Sequence, residues 1–253
     1  MTDVFSDKLA RWRAYTSTPW GRIRYTVVEE ILRRQCAEMG EGLRILDVGG
    51  GDGMDALPLA LAGHEVTILD PSESWLAEGK RRAAEAGASL TTLVGGVEDL
   101  PEGEWDLVLC HFVLRYRPTD AGDIRRLAAA VRPGGRLSVM EVNPAAMVLR
   151  QLVTGGPEAA LAELRANTKR AVTFDHDVRK VPMADLEAEL AAAGLRLTGR
   201  FGTRIANDLL TDDAAKHDPA YFDRLLELEV ALCDQEPFVR TAGMYQLVAE
   251  RPG

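Results

Sequence analysis

The amino-acid sequence predicts an α/β fold in which helices cover both faces of a mostly parallel sheet. Short apolar runs alternate with helical patterns between residues 44 and 143, which is typical of parallel strands joined by helical crossovers. A glycine-rich turn follows the first run, as it does where a buried strand passes into a helix. The chain has 253 residues, 46% of them hydrophobic, which is enough for one large domain or one domain with an inserted subdomain.

The first 143 residues are predicted to alternate between helix and strand. Residues 1–40 favour a helix, since apolar residues recur at helical spacing and Gly40 marks an end. Five strands follow, in the runs LRILDV, EVTILD, SLTTLVG, WDLVLCHFVL (105–114) and RLSVMEVN (136–143). Between them, the segments MDALPLALAGH, SESWLAEGKRRAAEAG and DIRRLAAAVRPGG favour helices, the second with Ser72 as its N-cap.

The regular alternation stops after residue 143 and resumes near residue 184. The stretch 144–182 contains three prolines and two adjacent glycines around a helical piece at 159–164, and we expect it to form a cap over the site. A helix at 184–193, a strand at 195–206, a helix at 219–233 and a final strand at 245–250 follow. The predicted regions are an amino-terminal helical segment over the site (1–40), a core (41–143), the cap (144–182) and the carboxy-terminal part of the sheet (183–253).

The overall charge argues against a general binder of nucleic acids or membranes. Thirty basic residues stand against 39 acidic ones, a formal net charge of −9. The longest apolar stretch is far too short to span a bilayer, and the first residues lack the apolar run of a secretion signal. Three widely spaced cysteines form no metal-ligating pair and indicate reduced thiols. We therefore expect a cytoplasmic protein without membrane contact or metal.

A glycine-rich turn, Asp47-Val-Gly49-Gly50-Gly51-Asp-Gly, stands where the first predicted strand ends. Glycines let the backbone turn sharply and let a ligand approach without interference from a Cβ atom. Such turns also serve nicotinamide enzymes, but the match to their G-x-G-x-x-G fingerprint is poor. A carboxylate at Asp47 suits a cationic ligand better than a pyrophosphate.

Acidic residues also follow the second and third predicted strands. A carboxylate at Asp70, before Pro71, can accept hydrogen bonds from both hydroxyls of a ribose, although the same residue type is common in turns. Asp99, beside Glu98, could accept from an adenine amino group, but taken alone it is more typical of a surface turn. The sequence Arg-Pro-Gly-Gly at 132–135 is a structural turn before the fifth strand.

In this order and spacing, these four features resemble the class I S-adenosylmethionine-dependent methyltransferases over residues 44–143. The resemblance implies a Rossmann-like sheet of seven strands with the last one antiparallel, S-adenosylmethionine as cofactor, and no metal. It also implies that the glycine turn borders the methionine part of the cofactor, that Asp70 binds ribose and that the residues around Asp99 frame adenine. The implied cofactor-binding residues are Arg24, Asp47, Gly49, Gly50, Gly51, Asp70, Pro71, Glu98, Asp99 and His111.

Shorter motifs are spread over nearly the whole chain. They are GRIR (21–24), GGGDG (49–53), HFVL (111–114), RPGG (132–135), GTRI (202–205), ELE (227–229) and CDQEP (233–237). Together they resemble the bacterial tRNA 5-carboxymethoxyuridine methyltransferases, which methylate the carboxylate of a modified wobble uridine. The resemblance implies that Arg24 grips the methionine carboxylate of the cofactor. Two departures favour a small-molecule acceptor: residues 165–180 hold only five basic and two acidic side chains, and Arg115 stands where the family tends to have an acid.

Candidate reacting and substrate-binding residues lie near the same predicted sheet edge. His111 could act as a base towards a hydroxyl, donate a hydrogen bond to a carboxylate, or only shape the pocket. Arg115 and Arg204 could pair with an anionic substrate, and Asn143 and His176 could also contact it. We expect a methyltransferase, monomeric or homodimeric, that acts on an oxygen of tRNA or of a small molecule. The alternatives from other classes are an S-adenosylmethionine-binding regulator and a nicotinamide oxidoreductase.

Overall fold

The computed structural model describes residues 9–171 and 176–253, which fold around one large sheet. The strands are β1 (Arg44–Val48), β2 (Glu65–Asp70), β3 (Thr91–Val94), β4 (Trp105–His111), β5 (Val131–Val142), β6 (Thr168–Ala171), β7 (His176–Arg179), β8 (Arg196–Thr203) and β9 (Met244–Glu250). Seven of them form the sheet, in the order β3-β2-β1-β4-β5-β9-β8, while β6 and β7 pair as a separate hairpin. Strand β9 runs antiparallel to both β5 and β8. The predicted seven-stranded, mostly parallel sheet with an antiparallel last strand is confirmed.

Helices precede the sheet and connect its strands. They are α1 (Leu9–Thr16), α2 (Pro19–Met39), α3 (Ala56–Leu61), α4 (Glu73–Glu85), α5 (Asp123–Ala130), α6 (Pro144–Arg165), α7 (Met183–Ala192), α8 (Pro219–Leu232) and α9 (Glu236–Val239). The predicted N-cap of α4 is confirmed, because the Ser72 side chain accepts a hydrogen bond from the Trp75 backbone N–H. Among residues 9–171 and 176–253, no helix is long and apolar enough to cross a membrane.

The core lies on both faces of the sheet, because alternate residues of each strand point to opposite sides. Leu46 and Val108 belong to one apolar cluster, which also contains Leu127 of α5 and Leu186 of α7. Neighbouring residues of the same strands, such as Ile45, belong to a second cluster with side chains from α2, α3 and α4. This packing holds the carboxyl ends of the parallel strands at one edge.

Helix α6 is longer than the sequence predicted. The expected helical piece at 159–164 is part of a 22-residue helix with one kink, at Gly156, where φ is 80°. Pro144 occupies the first helical position, where a missing backbone N–H breaks no intrahelical bond. Pro157 follows the kink directly and so begins the second part of the helix. Pro144 and Pro157 therefore each begin a run of helix, and the predicted cap role of 144–182 stays a prediction.

Two strands are shorter than the sequence predicted, and each ends directly before a residue with positive φ. Strand β4 ends at His111 rather than at residue 114, because Phe112 has φ of 62°. Strand β8 ends at Thr203 rather than at residue 206, because Arg204 has φ of 59°. Residues other than glycine rarely adopt this left-handed conformation, and such exceptions cluster at functional sites.

Candidate active site

A cavity of about 570 Å³ opens at the carboxyl ends of β1, β2, β4 and β5. Side chains from α1, α2, α6 and β7 also line it. The predicted site residues that line it are Arg24, Asp47, Gly49, Gly50, Gly51, Asp70, Pro71, His111, Arg115 and Arg204. This edge is where open α/β sheets bind ligands, so the structure brings most of the candidate site together.

The glycine turn after β1 forms one wall of the cavity. Gly51 has φ of 52°, and a Cβ atom there would lie 3.1 Å from the Cε3 atom of Trp75. A Cβ atom on Gly49 would collide with the side chain of Val113. Glycine at these two positions leaves the backbone exposed to a ligand where any other residue would crowd the cavity.

Asp47 places a buried carboxyl oxygen beside the cavity. The residue is 2% exposed, and within the described residues its Oδ2 has no hydrogen-bond partner. Burial, reinforced by the neighbouring carboxylates of Asp55 and Asp70, raises the pKa of Asp47 well above its usual value. A buried carboxyl oxygen of this kind fits a ligand that brings a cation or a hydrogen-bond donor.

Asp70 connects the end of β2 to the glycine turn. Its Oδ2 accepts the Gly51 backbone N–H at 3.0 Å, and its Oδ1 accepts the Ser72 backbone N–H at 2.9 Å. The turn role considered for Asp70 is therefore present, and the residue also lines the cavity. The ribose-binding role stays a prediction.

A buried ion pair joins α2 to the glycine turn. The Arg24 Nη2 atom lies 2.7 Å from Asp55 Oδ2, and Nη1 contacts Asp55 Oδ1, with the two side chains 4% and 9% exposed. Burial alone would raise the pKa of Asp55, but Arg24 and His111 more than offset this and hold that pKa well below its usual value. The sequence analysis missed Asp55, although it is an acid only two residues beyond the glycine motif.

His111 is held between Asp55 and a hydroxyl inside the sheet. Its Nδ1 lies 2.8 Å from Asp55 Oδ2, and its Nε2 lies 3.0 Å from Ser138 Oγ. Ser138 Oγ also accepts a hydrogen bond from Gln246 Nε2 at 2.9 Å. An ionised Asp55 can only accept, so we assign the Nδ1 proton to the Asp55 bond and the Ser138 hydroxyl proton to Nε2.

This arrangement uses both ring nitrogens of a neutral imidazole. The geometry therefore does not support His111 as a general base and fits the alternative of a residue that shapes the pocket. The three side chains Ser138, His111 and Asp55 are arranged like a hydrolase triad, but Ser138 is fully buried in β5 and does not line the cavity. It cannot serve as a nucleophile there.

Two arginines that were predicted to bind an anionic substrate already have carboxylate partners. Arg115 Nε lies 2.8 Å from Glu141 Oε2, and Glu141 is 1% exposed. Arg204 Nη2 lies 2.6 Å from Asp208 Oδ1. Each arginine thus neutralises an acid that lines the same cavity. Sequence reasoning missed both acids: Glu141 lies 26 residues from Arg115, and Asp208, although only four residues beyond Arg204, lies outside every predicted helix.

The chain matches a methyltransferase domain model over residues 45–135. It is 30% identical to the tRNA 5-carboxymethoxyuridine methyltransferase of Escherichia coli (strain K12) over 256 residues, which cover 99% of this chain and 95% of that protein. The chain belongs to the class I S-adenosylmethionine-dependent methyltransferases. The resemblance drawn from the sequence motifs is confirmed, and members of this class use S-adenosylmethionine as methyl donor.

Other methyltransferases match less completely or only in fold. The ubiquinone biosynthesis O-methyltransferase of Bordetella avium is 30% identical over 207 residues, 79% of this chain and 81% of that protein. Magnesium protoporphyrin IX methyltransferase from Synechocystis PCC 6803, solved with bound SAH, superposes with a TM-score of 0.66 at 21% identity, covering 97% and 95% of the two chains. A methyltransferase structure from Clostridium acetobutylicum superposes with a TM-score of 0.61 at 13% identity, covering 98% and 99%. The two structures show the fold alone.

The cavity of this methyltransferase suits the chemical groups of S-adenosylmethionine. The cofactor is a cation at its sulfonium and ammonium groups, and the unpartnered Asp47 oxygen provides a complementary acid beside the cavity. The aromatic residues that line the same cavity include Trp12, Tyr15, Tyr25 and Trp75. The ring centroids of Trp12 and Trp75 are 5.4 Å apart, so α1 reaches across to α4.

Asn143, a predicted substrate-binding residue, has its side chain bound to two backbone groups. The Asn143 amide caps α6 through the Ala145 backbone N–H at 3.1 Å and donates to the Arg240 carbonyl at 3.0 Å. Asn143 does not line the cavity, so its predicted substrate contact stays a prediction without support from the cavity lining. The side chain of His176 lies outside what the structure describes.

The predicted adenine-framing acids, Glu98 and Asp99, do not line the cavity either. Asp99 Oδ2 accepts the Gly96 backbone N–H at 2.9 Å, and Glu98 pairs with Arg117 at 3.0 Å. The neighbouring residues Gly95, Gly96 and Val97 line the cavity instead. The adenine role of the two acids therefore has no support from cavity lining.

Glu229, the last residue of the ELE motif, lies in the buried part of α8. The residue is fully buried, and its carboxylate accepts the backbone N–H groups of Ile205, Ala206 and Asn207 at 2.7 to 3.0 Å. These bonds hold the turn that directly follows Arg204. Glu229 of α8 thereby fixes one wall of the methyltransferase cavity from outside.

Proposed function

We propose that this methyltransferase transfers a methyl group to the carboxylate of carboxymethoxyuridine in tRNA. The observation that carries the proposal is the end-to-end match with the Escherichia coli enzyme of that name, which covers 99% of this chain and 95% of that protein. Such a match includes α1, the region after β5 and α8, which lie outside the methyltransferase domain at 45–135. Acceptor-binding parts outside the shared domain are what distinguish methyltransferases of one fold.

The placement of His111 supports a carboxylate acceptor over a hydroxyl. S-adenosylmethionine, when bound, supplies a methyl group on an activated sulfonium leaving group. A carboxylate is already ionised at neutral pH, whereas a hydroxyl benefits from a base. Since both His111 nitrogens are engaged, the best-placed histidine is not available as that base.

The protein then acts mainly by alignment and charge. Arg24 would hold the methionine carboxylate of the cofactor, with Asp55 fixing the guanidinium and His111 fixing Asp55. Asp47, Asp52 and Asp70 lie at or just after β1 and β2, whereas Arg115 and Arg117 follow β4. Acids therefore line the glycine-turn side of the cavity, where a cationic donor would bind, whereas Arg115 and Arg117, on the β4 side, are paired with Glu141 and Asp123.

Transfer of labelled methyl to tRNA tests the proposal. Two tRNA pools serve, one that contains carboxymethoxyuridine and a matched one from a strain that lacks this modification. We expect label in the first pool alone, released by mild alkali because the product is an ester. Absence of label from both pools would contradict a tRNA acceptor, and alkali-stable label would contradict the carboxylate nucleophile.

The second candidate is O-methylation of a small molecule. The net charge of −9 and the exposed apolar side chains of α6, which include Leu149, Leu152 and Val153 at 39 to 47% exposure, favour an apolar acceptor over RNA. The match to the ubiquinone biosynthesis O-methyltransferase of Bordetella avium, which covers 81% of that protein, agrees with this candidate. Label that appears only in a small-molecule extract of the native host would establish it.

A further inference from the structure

Arg179, the last residue of β7, differs from the other cations that line the cavity. Each of the others has a carboxylate partner within the described residues: Arg24 with Asp55, Arg115 with Glu141, Arg117 with Asp123, Arg150 and Arg204 with Asp208, and Lys180 with Glu163. Arg179 has no ion pair with any residue in 9–171 or 176–253. It lines the cavity all the same. An arginine facing a cavity without an acidic partner is a candidate to bind an anion.

Arg179 is nevertheless held in place. Its Nε donates to the Leu114 carbonyl at 3.0 Å and to the Arg117 carbonyl at 2.8 Å. Both carbonyls belong to the turn that follows β4, so the side chain is anchored to the sheet edge at which the cavity opens. The backbone at Arg179 is also paired with Thr168 of β6. The guanidinium is therefore oriented by contacts that use one of its three nitrogens.

The nitrogens left over define the chemistry of a ligand. With Nε on backbone carbonyls, the Nη1 and Nη2 atoms form a flat edge with parallel N–H donors, which matches the two oxygens of a carboxylate. Lys180, the next residue, is committed to Glu163 at 2.7 Å and does not offer the same edge. A phosphate site generally gathers several further donors, and here a single arginine edge is available.

We infer that Arg179 binds the carboxylate of the methyl acceptor and selects acidic acceptors over neutral ones. This inference rests on the proposed function, since it names the residue that receives the carboxylate of the proposed acceptor. Arg179 also has Glu189 within electrostatic range, but that residue forms no ion pair with it. Loss of the acceptor charge on methylation would weaken the Arg179 contact and favour release of the neutral ester.

Binding to the protein loaded with S-adenosylhomocysteine tests the inference without turnover. The probes are 5-carboxymethoxyuridine and phenoxyacetate, which share the carboxymethoxy group, each compared with its methyl ester by titration calorimetry or ligand-observed NMR. The variants are R179Q, R179K and the control R165Q, because Arg165 is an exposed arginine at the end of α6 that does not line the cavity. Affinity for S-adenosylhomocysteine, measured in each variant, reports a preserved fold.

We expect the wild type and R165Q to bind the acids at least tenfold more tightly than the esters. R179Q should lose that preference, and R179K should keep part of it, because lysine retains the charge without the planar edge. Equal acid affinity in R179Q and wild type, or no acid preference in the wild type, would overturn the inference. These binding outcomes decide the role of Arg179 whether or not tRNA is methylated.

Failure of the proposed function gives a different pattern. If tRNA receives no methyl group while R179Q still weakens phenoxyacetate binding, the tRNA acceptor is excluded and the Arg179 carboxylate site stands. If tRNA is methylated and R179Q binds both acids as tightly as the wild type, the acceptor stands and the Arg179 site is excluded.

Discussion

His111 donates its Nδ1 proton to Asp55 across 2.8 Å, and this bond ties the end of β4 to the buried guanidinium of Arg24. The two residues are 56 positions apart in the chain. Asp55 thus serves two partners, one cationic and one neutral, with a carboxylate that is 9% exposed. The arrangement makes Asp55 a positioning residue for Arg24, and it predicts how the protein responds when that carboxylate is neutralised.

Asp55→Asn should destabilise the protein and weaken cofactor binding. Removing one partner of a buried ion pair leaves an uncompensated charge and costs about 3 kcal/mol or more of unfolding free energy. Urea unfolding at pH 7 measures this loss. The matched control is Glu85→Gln, which breaks the exposed Arg81–Glu85 pair on α4 and should cost less than about 1 kcal/mol.

The same variant has a predicted pH dependence. The pKa of Asp55 lies below its usual value in the folded protein, so its contribution is full above about pH 4 and is lost as the pH falls further. The gap in stability between wild type and D55N should therefore narrow below about pH 4. A gap that stays constant down to pH 2 would contradict the assignment of Asp55 as the ionised partner.

Asp47→Asn should have the opposite effect on the protein without cofactor. Burial raises the pKa of Asp47, so the unfolded chain ionises more readily, and the folded state loses stability as the pH rises above about 4. The neutral amide removes this loss, and we expect the unfolding free energy at pH 7 to rise. Affinity for S-adenosylmethionine should fall at the same time.

Asp70→Asn is the contrasting control for Asp47. Asp70 accepts two backbone N–H groups, so its amide variant loses an acceptor and should lower stability as well as cofactor affinity. We expect both variants to bind the cofactor less tightly, and only D47N to gain stability. This result would show that Asp47 acts on the ligand alone, whereas Asp70 also holds the glycine turn. Unchanged calorimetric affinity in D47N would contradict a cofactor role for Asp47.

Local sequence patterns predicted most of the fold but few of the contacts in the site. Alternating apolar runs located the strands, because burial on both faces of a parallel sheet leaves a continuous apolar signal. The positive φ of Phe112 and Arg204 leaves no such signal, so both strand ends were misplaced. Pro144 and Pro157 lie in the stretch where only a short helical piece was expected, yet α6 spans it, because proline is tolerated at a helix start and disfavoured in the helix interior.

The missed site residues share a different cause. Asp55, Glu141 and Glu229 are ordinary acids in sequence, and their partners lie 22 to 56 residues away. Only the packed structure decides which acid is buried and which arginine or backbone N–H it meets. Family motifs pointed to the glycine turn and Asp70 because the signal of both lies in consecutive residues at the ends of two strands. Long-range pairing therefore sets the limit on what one sequence predicts here.

His111→Asn tests whether the histidine positions or reacts. The asparagine amide can still donate to Asp55, so we expect the turnover rate to fall by no more than about tenfold, less than the hundredfold or more that the loss of a general base typically costs. The pH–rate profiles of the wild type and H111N should have the same shape. A protonation step that is present in the wild-type profile and absent from that of H111N would establish proton transfer by His111 and contradict the pairing described above.

Glu229→Gln should loosen the wall that carries Arg204. The carboxylate accepts three backbone N–H groups, and an amide has one acceptor oxygen instead of two, so we expect a loss of about 1 to 2 kcal/mol. Hydrogen exchange should accelerate at residues 205–207 more than in β9. Glu227→Gln is the matched control on the same helix, because Glu227 is 68% exposed and forms a surface ion pair with Arg224. Equal exchange rates at residues 205–207 in the two variants would show that other contacts hold the turn after Arg204. One such contact is the hydrogen bond from the buried Lys216 ammonium to the Asn207 carbonyl, at 3.1 Å.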